Sequence, residues 1–258
     1  MSDLPGLKRL PFPLKSLLAR PHGGVAEVAA LFALYGLYEI VRGFGSATLA
    51  VARGHAANIV ALEQSLGVYG ERSVQEFAER VPGLPALLGV AYIALHILVT
   101  AGVLVWVYRS HRERFPIVRT TLVASTAFSL AIYVLYPVAP PRLAGLGFAD
   151  TVTTHAGLNL SSDLLGSLYN PFAAVPSLHF GYALLVGAAV AALAQGRAWR
   201  ALGAVYPLAM VGIIVATGNH FVFDAVAGGA VVVAGWLVAR RLVAANPERR
   251  RVTRLATA

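Results

Sequence analysis

Cysteine is absent from this chain of 258 residues. That absence excludes disulfides, thiolate nucleophiles and cysteine-ligated metals. Charge is also scarce. Asp, Glu, Lys and Arg make up 13% of the residues, against about 25% in soluble domains. The hydrophobic share is 57% and the mean hydropathy is +0.68. Long apolar runs recur, so the pattern excludes a soluble enzyme and predicts an all-α, polytopic membrane protein. No internal repeat, low-complexity tract or cleavable secretory signal is legible. The first apolar run therefore reads as an uncleaved anchor.

Six spanning helices are predicted, over 25–41, 84–108, 117–138, 173–193, 198–217 and 221–243. Each is near the ~20 residues a bilayer requires. They divide the chain into a cytoplasmic N-terminal segment (1–24), a six-helix membrane domain (25–243) and a basic cytoplasmic tail (244–258) suited to anionic lipid headgroups. The net charge of +9 would suggest nucleic acid in a soluble protein. Here it follows the loops, and no nucleic-acid partner is expected. With both termini cytoplasmic, Arg42, Arg53, Arg72, Arg80 and Arg142 are the only outer members of the 21 basic residues, leaving 21 − 5 = 16 inside, as the positive-inside rule requires.

Two outer segments are too long to be simple connections. Between the first two helices, His55, Ile59, Leu62 and Leu66 recur at helical spacing and predict an amphipathic helix lying at the interface. After the third helix, 139–172 is rich in Pro and Gly and carries Arg142. Loops of this length are usually functional.

Polar groups in apolar helices are costly unless partnered or used. PSLHFGYA at 176–183 and GNHFVFDAVAG at 218–228 each place a histidine where an apolar run begins. His220 and Asp224 stand four apart, which predicts a shared helix face. The charge-derived topology brings His179, His220, Asp224 and Arg142 to one depth on the outer side. These residue types suit phosphoryl transfer. His220 is the candidate nucleophile and Asp224 the carboxylate that orients it. His179 is the candidate general acid. Arg142, stiffened by Pro140 and Pro141, is the candidate phosphate clamp. Ser177 either donates to phosphate or caps its helix. Asn219 either orients His220 or closes the turn. Arg42 either supplies another phosphate cation or pairs with Glu39. His96, in mid-helix, reads as a packing residue, and His55 and His155 read as surface residues.

PSLH followed by HxxxD resembles the second and third signatures of the type 2 phosphatidic acid phosphatase superfamily. The resemblance implies a six-helix core, a site at the membrane surface and metal-independent phosphohistidine chemistry. It would make His179 the acid, and His220 and Asp224 the nucleophile and its carboxylate, with no cofactor. Four positions depart from the family pattern. Leu135 and Ile214 stand where two cations are usual, Leu143 where proline follows the arginine, and Leu178 where PSGH has glycine. APPR, PSLH and NHxxxD are similar to the branch that includes fungal inositol phosphorylceramide synthase. That similarity implies a membrane lipid phosphate or phosphodiester as donor, with a lipid or sugar hydroxyl, or water, as acceptor. Two rivals remain at this level: a metal site built from the two histidines and the carboxylate, and a transporter using them as a proton relay.

Overall fold

The computed structural model describes residues 48–156 and 170–244, together with Gly23, Val25, Ala29, Phe32, Ala33 and Gly36. Eight α-helices lie among them: α1 (Leu49–Ser65), α2 (Glu71–Glu79), α3 (Leu84–Ser110), α4 (Phe115–Leu135), α5 (Thr151–Ala156), α6 (Leu178–Leu193), α7 (Arg197–Ala216) and α8 (Val222–Ala244). The described residues contain no strand, only one isolated parallel bridge between Val138 and Ala173. The all-α expectation therefore holds for them.

Helices α3, α4, α7 and α8 are long and apolar enough to cross a membrane. α6 is apolar but has 16 residues, about 24 Å against a hydrocarbon core of about 30 Å. The span predicted over 25–41 falls mostly outside the described residues, so four long helices and the shorter α6 stand where six spans were expected.

α6 starts at Leu178 and not at the predicted 173. Ser177 caps it, accepting from the Phe180 amide at 3.3 Å. The preceding residues are held in extended form by the 138–139 segment: the Val138 amide donates to the Phe172 carbonyl (2.8 Å) and the Ala174 amide to the Val138 carbonyl (3.4 Å).

Polar residues inside the bundle are satisfied locally. On α4, Thr121, Ser125, Thr126 and Ser129 donate to the carbonyls four residues earlier at 2.7–2.9 Å. This removes orphan hydroxyls from an apolar medium. The same small residues let α8 approach closely. A Cβ on Gly235 would lie 2.8 Å from the Thr121 carbonyl oxygen, so this crossing depends on small side chains, as tight membrane-helix contacts often do.

Within residues 48–80 the chain forms two helices, α1 and α2. The buried face of α1 is Ala52, Ala56, Ile59, Val60 and Glu63. The expected His55–Ile59–Leu62–Leu66 stripe shares only Ile59 with it, and Leu62 and Leu66 are exposed. The buried positions pack on Val138, Ala139, Ala174, Val175 and Phe221. α1 therefore braces the loops beneath it through small residues. His55 is not a free surface residue either. It stacks on Tyr136 at 3.9 Å and its Nδ1 donates to the Pro137 carbonyl at 2.7 Å. His155 is exposed, as expected.

The helices alternate in direction. The starts of α3, α6 and α8 and the ends of α4 and α7 share one end of the bundle. Arg109, Arg112, Arg114, Arg197, Arg200, Arg240 and Arg241 occupy the other. There Arg112 and Arg240 cover the rings of Tyr108 and Trp236, each at 4.6 Å, a pairing suited to a membrane–water boundary.

Candidate active site

A cavity of about 170 Å³ opens between α3, α6 and the turn before α8. At about 30 Å³ per water in the liquid, it has room for a phosphate-sized group and a few waters. Tyr92, His96, Leu178, His179, Asn219 and His220 are among its lining residues. Larger cavities, of about 610 and 480 Å³, lie towards the opposite end of the bundle among residues such as Trp106, Leu193 and Trp236. Size alone does not locate the chemistry.

His220 sits just before α8, so its pairing with Asp224 does not come from a helical face. Asp224 is in the first turn. Its Oδ2 accepts from the Phe221 amide at 2.9 Å and from His220 Nδ1 at 3.1 Å. The carboxylate thus folds back to cap its own helix and to hold the imidazole. His220 Nδ1 also faces the Ala174 carbonyl at 3.0 Å. Both partners are acceptors, which places the proton on Nδ1 and leaves Nε2 with the lone pair. Both residues are buried, His220 4% exposed and Asp224 not at all.

His179, the second residue of α6, is held by stacking. Its ring lies 4.0 Å from Tyr92 and 4.1 Å from His96, centroid to centroid. The His179 and His220 rings are 5.7 Å apart. That separation leaves a phosphorus centre within reach of both.

Arg142 lies in a short 3-10 turn, Pro141–Leu143, and is not itself among the cavity-lining residues. Its amide donates to the Gly218 carbonyl (2.9 Å), its Nε to Asn219 Oδ1 (3.0 Å) and one Nη to Asp150 Oδ2 (3.2 Å). The side chain is 1% exposed. Asn219 also donates from Nδ2 to the Thr217 carbonyl at 3.2 Å, so it closes the turn and ties Arg142 to the cavity wall. Gly218 makes this turn possible. Its φ is +68°, and a Cβ there would lie 2.9 Å from the Ala149 carbonyl oxygen. Ser177 is fully buried as the α6 cap and is not among the cavity-lining residues. Arg42 lies outside the described residues. Leu135 is 80% exposed and Ile214 is fully buried, and neither lines the cavity.

Sequence reasoning missed an acidic clamp. The amide after Phe221, that of Val222, donates to Glu71 Oε1 at 2.9 Å, and the next, that of Phe223, donates to Glu63 Oε1 at 2.7 Å. With Asp224 on Phe221, three consecutive amides at the start of α8 each meet a carboxyl group. Glu63 and Glu71 are 2% and 0% exposed. Glu63 Oε2 is buried with no hydrogen-bond partner, an arrangement that favours the protonated acid over the carboxylate. Burial first, then the neighbouring Glu71, push Glu63 up from 4.5 to about 8. Burial also raises the nearby Tyr69 phenol, with Glu71 and Glu63 adding to it. The available signal was the run of orphan amides that any helix start presents, here immediately after a candidate nucleophile. His96, read as a packing residue, does pack on His179 and Tyr182 and also lines the cavity. Asp150 was also missed. Besides Arg142, it accepts from the Thr153 amide and hydroxyl, fixing the start of α5.

Among the described residues, no group of three or more His, Asp or Glu is arranged to hold a metal ion. The nitrogen of His220 that faces Asp224 is already engaged.

A family model for the PAP2 superfamily matches residues 57–238. No curated protein and no solved structure matches the chain.

Proposed function

Since the chain belongs to the PAP2 superfamily, whose members carry phosphatase or phosphotransferase activity, we propose that it cleaves a membrane lipid phosphate ester through a phosphohistidine on His220. The observation that carries this reading is the pair of acceptors on His220 Nδ1. They leave Nε2 as the nucleophilic nitrogen and stabilise the positive charge that grows on the ring during attack.

In the first step His220 Nε2 bonds to phosphorus and the bond from phosphorus to the lipid oxygen breaks. His179 donates a proton to that oxygen. In the second step a hydroxyl attacks phosphorus, the P–N bond breaks, and His179 takes the hydroxyl proton. The cycle returns both rings to their starting states. Arg142, backed by Asp150 and Asn219, provides fixed positive charge for the phosphoryl oxygens. Arg42 is a further candidate for that role. The basic residues at the opposite end of the bundle support, by the positive-inside rule, a site on the extracytoplasmic side.

The acceptor separates hydrolysis from transfer. Leu178 lines the cavity where PSGH sequences have glycine, and an apolar wall favours a lipid or sugar hydroxyl over bulk water. Purified protein incubated with labelled phospholipids, polyprenyl phosphates and candidate alcohols tests this. A new phosphodiester marks a transferase and free phosphate a hydrolase. Turnover that requires an added divalent metal would count against the whole scheme.

A further inference from the structure

We propose that His96 is a catalytic residue of this site, contacting through its imidazole the oxygen exchanged at phosphorus. The inference rests on the phosphohistidine reading above. α3 puts Tyr92 and His96 one turn apart, and both rings pack on His179, at 4.0 and 4.1 Å. His96 also stacks on Tyr182 at 5.4 Å with an interplanar angle of 4°. Tyr182 is fixed in turn through its hydroxyl to Thr126 at 2.5 Å. The ring is thus packed against two aromatic side chains of α6.

The edge of the ring is different. Nδ1 of His96 is buried and has no hydrogen-bond partner, although the ring lines the cavity. An unpaired imidazole nitrogen between Leu95 and Ile97 in an apolar helix is costly unless something other than the protein satisfies it. Packing alone would be served as well by phenylalanine. The His96 and His179 rings meet at 33° with centroids 4.1 Å apart and no hydrogen bond joins them, so His96 is not placed as a relay for the His179 proton. What remains is a hydrogen bond to a ligand atom beside His179. In the first step that atom is the departing lipid oxygen, and by reversal the arriving hydroxyl in the second. The proton itself still comes from His179. His96 holds the oxygen in line.

The test compares two donors in detergent micelles, phosphatidic acid and p-nitrophenyl phosphate, and reads the rate of enzyme phosphorylation in a single turnover. The nitrophenolate oxygen leaves without help, whereas the lipid oxygen does not. His96→Phe keeps the stack and removes the nitrogen. It is expected to slow phosphorylation by phosphatidic acid about 10- to 100-fold, the scale of one lost hydrogen bond, while the nitrophenyl donor keeps its rate within about threefold. His96→Asn, which returns a polar group near the Nδ1 position, is expected to recover most of the loss. Wild-type rates in His96→Phe with phosphatidic acid, or equal losses on both donors, would overturn the proposal. His220→Ala run beside it separates the two ideas. If that variant phosphorylates normally, the parent reading fails. If it is inert while His96→Phe is unimpaired, only the role of His96 fails.

Discussion

Glu63→Gln probes the clamp that sets the position of His220. Glu63 accepts the Phe223 amide and lies against Glu71. In the folded protein it keeps its proton up to about pH 8, whereas the unfolded chain loses it near 4.5. Between those values the folded state binds a proton that the unfolded state has released. Stability from this group is therefore complete below pH 4.5 and falls as pH rises, by about 1.4 kcal/mol per pH unit. The loss runs over the interval from 4.5 to about 8, on the order of several kcal/mol in all. Glutamine cannot ionise, yet it can still accept from the Phe223 amide as Glu63 does. Thermal unfolding in detergent at a series of pH values is the assay. The wild type is expected to lose stability steadily from pH 5 to 8, and Glu63→Gln to lose much less. Glu63→Ala, which orphans a buried amide, should be less stable than Glu63→Gln by about 1–3 kcal/mol. Equal pH slopes in wild type and Glu63→Gln would refute the argument that buried Glu63 keeps its proton in the folded state.

Three other outcomes follow from the same geometry. Asp224→Asn should lower turnover about 10²- to 10⁴-fold, because the amide can present its NH₂ to Nδ1 and reverse the His220 tautomer; steady-state kinetics on folded protein reads it. Gly218→Ala forces a Cβ onto a φ of +68° and towards the Ala149 carbonyl. A loss of about 2 kcal/mol or more is expected from the two costs together, seen as a lower unfolding temperature. Arg142→Lys should raise KM more than it lowers kcat, since an ammonium cannot reproduce two directed contacts to Asp150 and Asn219; a substrate titration separates the parameters.

The histidines and Asp224 were legible in the sequence because polar groups at the start of apolar runs stand out against their surroundings. Their partnership was anticipated for the wrong geometric reason. Four-residue spacing suggested a helix face, whereas the contact arises in the turn before α8, where Asp224 caps Phe221 and reaches back to His220. The Gly–Asn turn and Arg142 also stood out, but their mutual bonds join residues 77 positions apart, a separation no local pattern encodes. Glu63 and Glu71 escaped for the same reason. They sit in helices far earlier in the chain and meet α8 only after folding. His96 looked like one polar residue in a greasy helix, and its register against His179 is a property of how α3 packs on α6. Span counting worked for α3, α4, α7 and α8, where length and hydropathy agree. It overestimated α6, because backbone pairing with Val138 keeps residues 173–176 out of the helix.

The central claim is that His220 carries the phosphoryl group between donor and acceptor. Rapid acid-free quenching of purified protein with a radiolabelled lipid phosphate, followed by peptide mapping, tests it directly. The account predicts label on the peptide containing His220, stable to base, lost in acid and absent from His220→Ala, which should be folded but inert. Full-rate turnover in His220→Ala, or label mapped to another residue, would contradict it.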